Sequence, residues 1–255
     1  MNQLENDDEL VIEVDQAITS LQATLLNLCH NHVCKYSLEE MKQKPLLETN
    51  AILISKFCHF LDGAKRELKY HNYYSLAVLI RSMNEIFYAL SFFYKKPEKI
   101  KDWKNKKIKI TIKEMIQTAY SKEKAEQTYN ENYHFYSSAA HPKTNLIRLM
   151  GSVGYKERKG YNEVLILFEP KENKENEVML RLDLLLSVSE IVNLEGIIFE
   201  NKLEKNERTD IEKNIKKTKE IHGYYAKNRY WKQPGVQEII TTAKKERLKK
   251  LELEG

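Results

Sequence analysis

Apolar residues recur at helical spacing through most of this chain, and the pattern predicts long helices. Leu10, Val14, Ala17, Leu21, Leu25 and Leu28 mark a first helix from about Asp8 to Cys34, and a polar stretch through Pro45 ends it. Ile52, Leu53, Phe57, Phe60, Leu61 and Leu68 mark a second, from about Glu48 to Tyr70, with Gly63 as a weak point inside it. Asn72 is placed to cap a third, Tyr73 to Tyr94. That helix is apolar almost all round, so other helices must surround it. Pro97 stops it, and helices from about Ile112 to Ala119 and Lys122 to Ala140 lead to Pro142. Proline disfavours the α conformation for the residue before it, which puts His141 at a helix end.

Past Gly151 the texture changes. Gly151, Gly154 and Gly160 bracket short segments, and Glu163 to Phe168 reads as a strand, half of a small β-hairpin. A polar loop, Glu169 to Glu177, precedes a last core helix from about Val178 to Leu203. Beyond it the chain is mostly charged, with an aromatic group (Tyr224, Tyr225, Tyr230, Trp231) before Pro234-Gly235 and a final basic helix, Val236 to Leu253. The fold class is therefore mainly α: a helical bundle over residues 1–203, a small β-hairpin insertion near 151–170, and a basic C-terminal extension over 204–255. No internal repeat is visible.

Composition changes this picture little, since 42% hydrophobic and 31% charged residues suit a globular chain able to bury one large core. Charge changes it more. The two signs balance over residues 1–203, so the whole +5 excess falls in the tail. Within the balanced body, Lys95 to Lys109 gathers eight lysines against two acids, and Lys104, Lys106 and Lys107 are its candidate phosphate contacts. Arg229 and Trp231 are the matching candidates in the tail, a cation for phosphate and a ring for a base.

A cytoplasmic location is expected: the first ten residues are acidic, unlike a secretory or mitochondrial leader, and three cysteines make no disulfide framework. The longest apolar tract, Val178 to Phe199, is interrupted by Arg181, Asp183, Glu190 and Glu195, which makes it a packing helix and no membrane span. Cys29, His30, His32 and Cys34, with Cys58 and His59, do not have the intervals of a zinc ribbon or finger, and a helix points Cys29 and His30 apart. No metal or cofactor is expected. Glycine-rich phosphate loops, a Gly-x-Ser-x-Gly elbow and a His-Glu-x-x-His motif are absent, which sets those enzyme classes aside.

Two polar clusters carry the candidate chemistry. Arg81 and Glu85 stand four apart on the most apolar helix, so they share a face, and each charge needs a partner or a cavity. His141 follows the small residues Ser137 to Ala140 and titrates near neutrality, and His134 falls two turns back on nearly the same face. The plain alternatives are a structural ion pair for the first cluster and a helix-capping histidine for the second.

The Arg-x-x-x-Glu helix (Arg81, Glu85), Pro97-Glu98, the Trp103 segment and the Ser-x-x-x-His-Pro end (Ser137, His141, Pro142) together resemble a family of uncharacterised bacterial proteins. These look like relatives of the HEPN superfamily (higher eukaryotes and prokaryotes nucleotide-binding). The resemblance covers about Tyr70 to Asn145. It implies an α-helical bundle, a homodimer, and metal-independent ribonuclease activity in a toxin-antitoxin or phage-defence system, with an antitoxin or defence subunit as protein partner. The superfamily's signature is an arginine, four to six intervening residues and then a histidine, at a site formed across the dimer. His141 takes the histidine position. Residues 134 to 136 are His134, Phe135 and Tyr136, so the positive charge falls to His134 or to Arg81. Arg66 and His71 also have the signature spacing, but they lie between the second and third helices, away from the family's place for it, and a chance match is expected.

The leading expectation is an RNA-acting protein with Arg81, Glu85, His141 and His134 at its site. The alternative is a non-catalytic sensor or scaffold whose Arg-Glu-His cluster is structural or holds a small anion. Simple nucleic-acid binding through the two basic surfaces is a third reading.

Overall fold

The computed structural model describes residues 7–133, 152–158, 161–167 and 174–228. In chain order the helices are α1 (Asp7–His32), α2 (Leu38–Lys42), α3 (Pro45–Lys69), α4 (Tyr73–Lys95), α5 (Lys99–Lys104), α6 (Ile112–Ala119) and α7 (Lys122–Gln127). A π-helical segment, Thr128–Tyr133, continues α7. Strands β1 (Ser152–Arg158) and β2 (Tyr161–Leu167) pair antiparallel, with Ser152 opposite Leu167 and Arg158 opposite Tyr161. Then come α8 (Lys174–Ile198), a short 3-10 turn (Glu200–Lys202) and α9 (Lys205–Asn228).

Local chemistry explains most of these boundaries. Ser37 with Glu40, and Thr111 with Glu114, form reciprocal capping boxes at α2 and α6. Asn72 caps α4 by accepting from the Ser75 amide. Pro45 opens α3 three residues earlier than the apolar pattern suggests, because its missing N–H costs nothing in the first turn. At the other end, the Asn72 and His71 amides donate to the carbonyls of Glu67 and Leu68, with His71 left-handed at φ 53. This is a Schellman ending, and His71 occupies the position glycine usually takes.

α4 is the axis of the bundle, packed by α3, α6 and α8. Ile80, Met83, Leu90 and Phe93 are buried on it, each worth about 1.5–3 kcal/mol. Among the described residues α4 alone is long and apolar enough to cross a membrane, and 67% of that stretch is buried against its neighbours. α1 closes the opposite side against α8 and α9 through Leu10, Val14, Leu21, Leu25 and Leu28. Ile100 and Trp103 seat α5, the Trp103 ring 4.8 Å from that of Phe93.

Three segments differ from the sequence reading. The α-helix expected over 122–140 is α-helical to Gln127 and a π turn from Thr128 to Tyr133, and its remainder lies outside the described residues. Helix α8 starts at Lys174, inside the expected polar loop, and ends at Ile198. Residues 205–228, read as the start of a basic extension, form α9, whose Ile211, Thr218 and Ile221 are buried in the common core. The pattern missed this because α9 presents a narrow apolar stripe on a highly charged helix, and it gains a core by lying against α1 and α8. Gly196 lets α9 approach, since a Cβ there would meet Ile211 Cδ1 at 3.2 Å.

Candidate functional site

The polar strip on α4 is built as the spacing predicts and then extended by a residue far away in the chain. Arg81 Nε donates to Glu85 Oε1 at 2.9 Å, one turn along the helix. Arg81 Nη2 donates to the Tyr133 hydroxyl at 3.1 Å, and the guanidinium stands 5.3 Å from that ring. Tyr133 stacks on Tyr129 at 5.7 Å with an 11° tilt, and Lys113 lies over the far ring. Burial opposes the charge on Arg81, but Glu85 and Tyr133 outweigh it and hold the guanidinium pKa above its ordinary value. The pair is half-buried, with 20% and 32% of the two side chains exposed. On the same face Asn84 accepts from Ser187 of α8 at 2.7 Å, which fixes the strip against its neighbour.

A second group adjoins the strip. Tyr120 donates to Glu190 Oε1 at 2.7 Å, and Tyr88 packs edge-on against Tyr120. Burial raises the Tyr88 phenol pKa, and the charges of Glu190 and Glu85 add to it. Burial also raises the Glu190 carboxyl, opposed by the Tyr120 bond and by Lys124. Tyr120, Glu190 and Lys124 border a cavity of about 320 Å³ between α4, α6, α7 and α8.

Comparison with family models, curated proteins and solved structures finds no match. The site is therefore read from its own geometry. Arg81 and Glu85 come together with Tyr133. His134 follows Tyr133 directly in the chain, and it lies outside the described residues, as do His141, Arg229 and Trp231. Arg66 is exposed, whereas His71 faces the Tyr73 hydroxyl at 3.2 Å and Glu177 at 3.9 Å. His71 thus serves the Schellman ending and a polar joint in which Glu177 also holds Arg181 at 2.8 Å. Among the described residues no group of three His, Cys, Asp or Glu side chains is placed to hold a metal.

The basic segment is uneven. Lys104 is bound to Glu48 at 2.6 Å, while Lys106 and Lys107 are exposed. Lys106 is left-handed at φ 56, and the amides of Lys106 and Lys107 donate to Trp103 and Asp102, a second Schellman ending. A non-glycine residue there carries a penalty of about 1–2 kcal/mol. Lys106→Gly is therefore expected to raise stability by about 1 kcal/mol in urea melts.

Tyr133, Tyr120 and Glu190 were missed as site residues. Glu190 left one signal, a carboxylate inside an apolar helix, and it served only to exclude a membrane span. Nothing local marks Tyr120 or Tyr133, which stand 70 and 52 residues from their partners.

Proposed function

We propose that this chain acts on RNA as a HEPN-like, metal-independent ribonuclease of a bacterial defence or toxin-antitoxin system, working as a cytoplasmic homodimer. The observation that carries this reading is the Arg81–Tyr133 bond. It ties the charged strip of α4 to the residue just before His134, in the stretch that continues to His141-Pro142. In this reading His141 takes the proton of a ribose 2'-hydroxyl as its oxygen attacks the adjacent phosphorus, or returns one to the leaving 5'-oxygen. Arg81 stabilises charge on the phosphorane, Glu85 holds Arg81, and His134 adds a second imidazole. Lys106, Lys107, Arg229 and Trp231 hold the strand.

Incubating the pure protein with RNA in EDTA tests this. Cleavage is expected, abolished by His141→Ala and reduced about a hundredfold by Arg81→Ala. No cleavage by the wild type, or equal cleavage by His141→Ala, overturns it.

A second reading is a non-catalytic sensor or scaffold that docks a protein partner, and one observation favours it: Glu85 and Tyr133 already engage the guanidinium. There Arg81→Ala lowers the melting temperature before it affects anything else. A variant that melts like wild type removes this reading.

A further inference from the structure

We infer that the cavity between α4, α6, α7 and α8 is a base subsite selective for guanine, an inference that rests on the RNA reading above and names what that site recognises. The cavity holds about 320 Å³, within the range of small-molecule sites, and its walls include Phe87, Tyr94 and Leu194. Flat apolar walls take a flat ring. Glu190 lines the same space, and the Tyr120 hydroxyl on Oε1 is the one hydrogen bond it makes among the described residues. A carboxylate offers about four acceptor positions, and on the half-buried Glu190 those that Tyr120 leaves unused are open to a ligand. The remaining positions call for donors from whatever fills the cavity.

The rim sets the sign of the ligand. Lys124 stands 4.3 Å from the centre of the Tyr120 ring, and Lys95 donates to the Thr118 carbonyl at the end of α6 at 2.6 Å. Both lysines border the cavity, so the group entering beside them is neutral or anionic. Guanine fits each demand. Its N1–H and amino N–H point side by side at two carboxylate oxygens, its ring fills the apolar space, and its phosphate meets Lys124. Adenine and cytosine set an acceptor beside their amino group, which a carboxylate repels, and uracil sets one N–H between two carbonyls. An arginine side chain has guanine's paired donors, but two lysines oppose its charge.

Titration calorimetry of the full chain with the four 5'-mononucleotides and with arginine amide tests the inference. GMP is expected to bind at least tenfold tighter than AMP, CMP or UMP, a preference readable in the wild type without any variant. Glu190→Gln, which turns one acceptor into a donor, is expected to lose at least tenfold in GMP affinity with an unchanged circular dichroism spectrum. Lys124→Ala, at the exposed rim, weakens GMP without touching the core. Equal affinity for all four nucleotides, no GMP binding, or tighter binding of arginine amide overturns the subsite. RNA cleaved in EDTA by a protein that does not bind GMP removes the subsite and leaves the ribonuclease reading. GMP bound by a protein that cleaves no RNA does the reverse.

Discussion

Replacing Glu195 by glutamine should stabilise the bundle at pH 8 by about 4 kcal/mol and flatten its pH dependence. Glu195 lies on α8 with no exposed surface, and burial pushes its carboxyl up to about 8, opposed only by the Asn50 amide. The folded state therefore holds a proton that the unfolded state, at about 4.5, releases. This contribution is full below about pH 4.5 and is lost as pH rises to about 8. Asn50 Nδ2 donates to both carboxylate oxygens, at 2.9 and 3.1 Å, while Asn50 Oδ1 is buried with no partner. The protonated carboxyl has an O–H to donate, and a glutamine amide keeps a donor there at every pH without a charge. Urea melts at pH 5 and pH 8 check this: the gap between variant and wild type should open only at the higher pH. An equal gap at both values would show that Glu195 is not held protonated by the fold. The same carboxylate, after burial itself, raises the neighbouring Cys29 thiol, and that thiol is expected to stay unreactive in the native state.

Glu207→Ala should cost about 3 kcal/mol, the second large effect. Glu207 sits in the first turn of α9, where its carboxylate accepts from the Glu204 amide at 2.8 Å and from Asn31 at 2.9 Å. His32 Nε2 lies 3.0 and 3.1 Å from its two oxygens, and the imidazole stacks on Phe199 at 5.1 Å. One carboxylate thus caps α9 and joins it to the end of α1. Removal leaves the buried His32 and the half-buried Asn31 without their acceptor. Burial raises the Glu207 carboxyl, but these donors outweigh it and the net pKa is lowered. Its stabilisation is present above the unfolded value and fades as pH falls, opposite in sign to that of Glu195. The midpoint of a urea melt at pH 7 should drop with little change in slope, and a melt matching wild type would remove Glu207 from the joint.

What was legible in the sequence depended on the distance between partners. The apolar periodicity of α1, α3 and α4, the Asn72 cap and the Arg81–Glu85 pair are set within one or two helical turns. Pattern and spacing suffice there, because neighbouring residues of a helix meet whatever the rest of the chain does. The π turn at Thr128–Tyr133 and the packing of α9 were not legible, since widening a helix or seating a charged one depends on what lies against it.

The chain by itself determined that this is a mainly helical protein with an apolar central helix carrying an arginine and a glutamate on one face. Only the tertiary structure decided what those charges meet. Tyr133 reaches Arg81, Tyr120 reaches Glu190, Asn50 reaches Glu195 and His32 reaches Glu207 across 52, 70, 145 and 175 residues. Each pairing exists because burying the apolar stripes of α1, α3, α4 and α8 fixes their rotation, and polar groups caught at the seams must then satisfy one another.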